Sequence, residues 1–176
     1  MTLSTTRPVP PASGRLTAPA LLGRAHAILA RIPESGIALL ARLSIAGVFW
    51  RSGQTKVEGF ALDPTAGSFT LGWPQLSESA LLLFEYEYDL PLLPPGTAAL
   101  LATIAEHVLP ALLVLGLGTR WAALGLLAVT LVIQLFVYPG AWPTHGTWAA
   151  VLLWLTARGP GALSLDGLLA RRRAGP

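Results

Sequence analysis

Four stretches of the chain are apolar over lengths that suit a bilayer, where about 20 helical residues cross roughly 30 Å of hydrocarbon. They lie near 35–55, 97–117, 121–138 and 142–158. The first is the least apolar, because it holds Arg42 and Arg51. The second is interrupted by Glu106 and His107, and the third carries no charge. Residues 121–157 contain no Asp, Glu, Lys or Arg. One helix of that length would overshoot the membrane, and Pro139-Gly140 with Pro143 marks the turn that divides it. Ahead of the first span, Leu21, Leu22, Ala25, Ile28 and Leu29 recur at helical spacing, with Arg24 and Arg31 on the other side. Residues 18–33 therefore predict an amphipathic helix lying in the membrane interface, with an ordinary basic linker as the alternative.

The remaining segments are punctuated differently. Residues 1–17 are rich in Pro, Ser and Thr and predict a disordered tail. No apolar run follows its first arginine, as a secretory leader would require. The 56–96 connection is long for a helix–helix link. Within it, residues 77–88 (SESALLLFEYEY) predict a short outer helix, and 67–73 is compatible with a short hairpin. Residues 159–176 predict a basic tail with one weak helical turn and the run Arg171–Arg173. The expected fold is all-α: an integral membrane four-helix bundle with an outer loop helix and an N-terminal interfacial helix.

Arginine placement orients that bundle. Arg7, Arg15, Arg24 and Arg31 precede the first span, Arg120 lies between the second and third, and Arg158 and Arg171–Arg173 follow the fourth. All fall on one side if both termini are cytoplasmic. The 56–96 connection is then outside, with Lys56 among Glu58, Asp63, Glu78, Glu85, Glu87 and Asp89.

Composition narrows the function classes. Of 176 residues, 53% are hydrophobic and 12% charged, about half the charged share of a soluble domain. With a mean hydropathy of +0.59, a water-soluble monomer is excluded and the lipid bilayer is the first partner. The chain has no cysteine, which removes disulfides, thiolate metal sites, iron–sulfur clusters and catalytic thiols. Twelve scattered basic residues make no nucleic-acid footprint.

Ionisable groups inside a membrane are costly and generally face the bundle interior, so they are the candidate chemistry. Glu106 falls near the middle of its span, about 15 Å from either face. Pro110 removes the donor that would have bonded the Glu106 carbonyl, and His107 is adjacent. On the first span Arg42, Phe49 and Lys56 recur every seven residues, with Ala46 and Gly53 on the same stripe. Arg51 follows Arg42 by nine residues, on the opposite side of the helix. By depth, about 9 Å and 22 Å from the inner face, either arginine reaches Glu106. One buried Glu106–arginine pair is expected, with Gln134 as a neighbour and the choice of arginine open. Such a pair serves either assembly or the handling of a ligand or proton. His107 has only His145 and His26 as further histidines, at no metal-ligand spacing, so no metal site is expected. There is no phosphate-binding glycine loop and no nucleophile elbow.

Several of these segments carry a family likeness. RLSIAGVFWRSGQTK (42–56), Ala105-Glu106 followed by the stretch Leu112 to Arg120, WPTH (142–145) and RGPGALSLD (158–166) occur in order. Together they resemble the DoxX family of small bacterial membrane proteins, over roughly 36–168. His107 and Pro110 stand where that family often has small residues. The resemblance implies a four-helix bundle in the bacterial plasma (inner) membrane. It also implies similarity to the membrane subunit of an archaeal thiosulfate:quinone oxidoreductase. Quinone is then the implied cofactor, and an oxidoreductase subunit or a second copy of the chain the implied partner. On this reading the chain is not an enzyme on its own. Arg51, Glu106 or Gln134 would bond the quinone carbonyls, and Glu106 would carry a proton. The alternatives are a membrane scaffold that recruits partner proteins through its basic tails and, third, a small transporter or proton conduit.

Overall fold

The computed structural model of the chain describes residues 18–63, 67–91, 93–173 and 175. The tail expected over 1–17 lies outside the described residues. Two compact units are distinguished, 1–32 and 33–176. In the first, helix α1 (Ala18–Leu29) leaves Leu21, Leu22, Ile28 and Leu29 exposed.

The second unit is mostly helical. It runs α2 (Glu34–Gln54), strands β1 (Val57–Asp63) and β2 (Ser68–Leu76), α3 (Glu78–Leu83), α4 (Pro95–Leu115), α5 (Thr119–Val132), α6 (Trp142–Arg158) and α7 (Leu165–Arg173). Single π-helical turns follow α3 (Phe84–Tyr88) and α5 (Ile133–Val137). Among the described residues, α4 and the run Thr119–Val137 are each long and apolar enough to cross a membrane. A third candidate span arises if α2 is counted with the apolar helix before it in sequence. By itself α2 carries Glu34, Arg42 and Arg51, and α6 has only 17 residues.

One apolar core joins α2, α4, α5 and α6. It contains Ile45, Ala46 and Phe49 from α2, Leu113 from α4, Ala122, Ala123 and Leu126 from α5, and Leu152 and Leu155 from α6. The alanines let the helix backbones approach closely, which in a membrane replaces the missing hydrophobic drive between helices. Arg42, Ala46, Phe49, Gly53 and Lys56 are all buried, as their shared stripe requires, and Arg51 is exposed on the far side.

Two features depart from the all-α expectation and the plain tail. First, β1 and β2 form an antiparallel hairpin, paired from Val57↔Leu76 to Asp63↔Ser68. It is longer than the 67–73 reversal. A bulge between Glu58 and Phe60, at Gly59 with φ of +80°, breaks the two-residue period that would have revealed the strand. Trp50 Nε1 donates to Leu62 O (2.8 Å), and Leu62 N–H donates to Gln54 Oε1 (2.7 Å), so the hairpin is held on the end of α2. Second, the segment after α6 folds back. Ala162 N–H reaches Ser35 Oγ (3.0 Å), and Asp166 N–H reaches Gly116 O (2.9 Å). From there Asp166 accepts from Gly118 N–H (3.0 Å) and Thr119 N–H (3.1 Å), capping α5. The first N–H groups of a helix need such an acceptor, and an anion suits the positive end of its dipole. α4 closes just before this with Gly116 in the left-handed region, Gly116 N–H on Leu113 O and Leu117 N–H on Leu112 O.

Asp166→Ala is expected to lower stability by about 1–2 kcal/mol through loss of the cap, seen as a lower unfolding temperature in mild detergent. Gly116→Ala is expected to cost more in the same melt. Its Cβ would overlap the Arg42 guanidinium and Ser164, and its backbone sits at φ of +67°.

Candidate functional site

The site begins where α2 ends. Lys56 follows the last helical turn, and its ammonium meets three acceptors: Glu106 Oε2 at 2.6 Å, Ser52 Oγ at 3.0 Å and Ser52 O at 3.2 Å. A cation at a helix C-terminus is favoured by the dipole. The Lys56 and Glu106 side chains are 7% and 3% exposed. Buried charges persist only when paired and hydrogen-bonded. Gly53 brings the helices together: a Cβ there would stand 2.8 Å from the His107 ring and 3.1 Å from the Glu106 carbonyl. That carbonyl is the one Pro110 leaves without an intrahelical donor.

The expected Glu106–arginine pair is thus replaced by Lys56–Glu106. Arg42 lies 14 residues from Lys56, about 21 Å along the helix direction. Its guanidinium is taken by Leu113 O (3.3 Å) at the C-terminal end of α4 and by Leu163 O. The last carbonyls of a helix have no intrahelical donors and attract cations. Arg51 is exposed and takes no part.

His107 faces the other side of α4. Gln54 Oε1 accepts from Leu62 N–H, so Gln54 Nε2 is the donor to His107 Nε2 (2.9 Å). His107 therefore carries its proton on Nδ1, donating to Thr103 O (2.8 Å). Trp50 packs against the ring edge-on at 5.1 Å. Gln134 bonds neither Glu106 nor Arg51. Its Nε2 donates to Pro139 O (2.7 Å), and its Oε1 accepts from His145 Nδ1 (2.7 Å).

A cavity of about 520 Å³ opens beside the ion pair. Phe49, Phe84, Leu101, Val129 and Val132 supply apolar wall, and Lys56, Ser52, Glu106, Tyr88, Tyr138 and His145 supply its polar atoms. Both π-turns border it, through Phe84 and Tyr88 on one and Ile133 and Val137 on the other. Such turns recur at functional sites. At the rim Tyr138 donates to Glu87 (2.6 Å), and the Tyr88 ring lies 5.9 Å from that of Tyr138. Burial pushes the Tyr88 phenol up, so it stays protonated at neutral pH.

The two tyrosines and His145 escaped the sequence reading. His145 occupies the first turn of α6 and is 5% exposed. The available signal was Trp142-Pro143, a proline at the start of a helix. Among the described residues no three His, Asp or Glu side chains gather to hold a metal.

Removing one member of the ion pair strands a buried charge. Lys56→Met and Glu106→Leu are each expected to cost about 3–5 kcal/mol, and the double variant to recover most of that loss. Unfolding midpoints of the three variants in detergent measure it.

The DoxX family model matches residues 37–139, more than half of the chain. The match includes Lys56, Glu106 and both tyrosines and ends before His145. No curated protein and no solved structure matches the chain. The chain belongs to the DoxX family and is a membrane protein of that family.

Proposed function

We propose that this chain is a quinone-associated membrane subunit of an oxidoreductase system rather than an enzyme by itself. In this reading α2, α4, α5 and α6 form a four-span bundle in the bacterial plasma membrane, with both termini cytoplasmic. The gathering of arginines at the two tails and the α4–α5 turn supports that orientation. α1 and α7 expose leucines beside arginines, a composition suited to the inner interface.

The observation that carries the reading is the buried Lys56–Glu106 ion pair in the wall of a largely apolar cavity. At about 520 Å³ it lies within the ordinary range of ligand pockets, roughly 300–1,000 Å³. The residues fit an amphipathic ring compound: apolar walls take the ring and the start of its tail, and few polar atoms orient its head. A bound quinone would supply two-electron, two-proton redox chemistry. The chain's own part is narrower. Phe49, Phe84 and Val129 exclude water, Lys56 holds one oxygen of Glu106, and the other oxygen is left to orient the ligand's head group. With no cysteine in the chain, thiol chemistry has to come from a partner subunit.

A scaffold role is the second reading. It is favoured by α7, which exposes Leu165, Leu168 and Leu169 next to Arg171–Arg173.

Quinone content, measured on protein purified in mild detergent beside an unrelated four-span protein from the same membranes, separates the two. Near-stoichiometric quinone is expected. It should fall to background in the Lys56→Met/Glu106→Leu double variant, which keeps the fold. Background quinone in the unaltered protein would overturn the proposal and favour the scaffold, whose partners should then be lost on deleting α7.

A further inference from the structure

We infer that the cavity prefers the reduced, hydroxyl-bearing form of its ligand, a quinol, to the oxidised form, which carries only carbonyl acceptors. The inference rests on the quinone-site reading and names the chemical state that the site takes.

The charged donor on the cavity wall and two of the neutral ones are already engaged. Lys56 Nζ has three protons and three acceptors, Glu106 Oε2, Ser52 Oγ and Ser52 O. Tyr138 gives its proton to Glu87. The Tyr88 ring packs edge-on against that of Tyr138 at 5.9 Å. His145 spends Nδ1–H on Gln134 Oε1, and Gln134 is held in that orientation by its bond to Pro139 O.

Acceptors remain open. Among the described residues nothing hydrogen-bonds Glu106 Oε1, and His145 Nε2 keeps its lone pair. Both side chains are more than nine-tenths buried, and both line the cavity. Among the described residues, the enclosed side-chain polar atoms without a partner are Arg42 Nε and Thr119 Oγ1, neither of them on residues that line the cavity. Three neutral donors are left on the wall, the Tyr88 and Ser52 hydroxyls and the Trp148 indole. A hydroxyl bonded to a carboxylate outweighs any of them, because charge-assisted bonds are about twice as strong as neutral ones. A carbonyl placed there instead sets acceptor against acceptor and leaves a buried oxygen unmade. Sites built around a hydrogen-bond partner discriminate strongly against analogues that lack it.

The test uses the full chain in lipid nanodiscs, stripped of endogenous quinone. A short-tail benzoquinone is titrated against the same molecule reduced to its hydroquinone without oxygen, and against the hydroquinone dimethyl ether. Binding is read by tryptophan fluorescence, since Trp148 borders the cavity. The hydroquinone is expected to bind at least about tenfold tighter than both others. In Glu106→Gln the amide oxygen keeps Lys56 and the amide nitrogen turns a donor to the cavity, so the preference should shift toward the quinone. Should that variant fail to fold, the dimethyl ether comparison on the unaltered chain still decides. Equal or tighter binding of the quinone, or a dimethyl ether as good as the hydroquinone, overturns this inference and leaves the quinone site standing. Binding of none of the three above that of an unrelated four-span protein overturns the quinone-site reading as well.

Discussion

Lys56 and Glu106 meet at 2.6 Å in a place where neither side chain faces bulk water. Either charge alone there would cost several kcal/mol, so everything near the pair is arranged around keeping it whole. Gly53 gives up its side chain so that α2 can rest on the Glu106 turn of α4. Ser52 takes the two ammonium protons that the carboxylate does not. The Lys56 carbonyl accepts from Ser77 N–H (3.0 Å), so the same residue that pins the helices also marks where the chain returns from the hairpin. The ion pair thereby fixes the register of α2 against α4 and the shape of one end of the cavity.

The opposite end of α2 obeys the same rule with different groups. Arg42 lies on the spent end of α4, and Arg120, from the turn into α5, donates to Thr156 O (3.0 Å) and Ala157 O (2.9 Å) at the end of α6. Two helix C-termini are each met by a guanidinium, and one N-terminus by the Asp166 carboxylate. Between these polar ends α2 offers Ala46 and Phe49, and Phe49 packs edge-on against Trp148 at 5.5 Å.

Much of this was readable in the sequence, for a geometric reason. A seven-residue repeat keeps one helix face, so Arg42, Phe49 and Lys56 had to be buried together and Arg51 had to point away. The isolation of Glu106 among apolar neighbours marked it as a group needing a partner. Which partner was not readable. Depth along an ideal helix placed both arginines in reach and assigned Lys56 to the outer connection. What decides the matter is that α4 ends beside Arg42, and that a segment far along the chain returns to cover it. The hairpin was partly hidden by its bulge, and His145 by the assumption that Pro143 ended a loop rather than began a helix. The cavity depends on residues from six separate elements, and no local pattern reports such a meeting.

The bond from Arg42 to the Leu163 carbonyl joins residues 121 apart. That separation has a meaning in time. Synthesis proceeds at about 5–20 residues per second, so the Leu163 carbonyl is made roughly 6–24 s after the guanidinium that needs it. For that interval the nascent α2 carries its arginine with this acceptor still unmade. The partner of a residue in α2 therefore comes from chain made long after α2 itself.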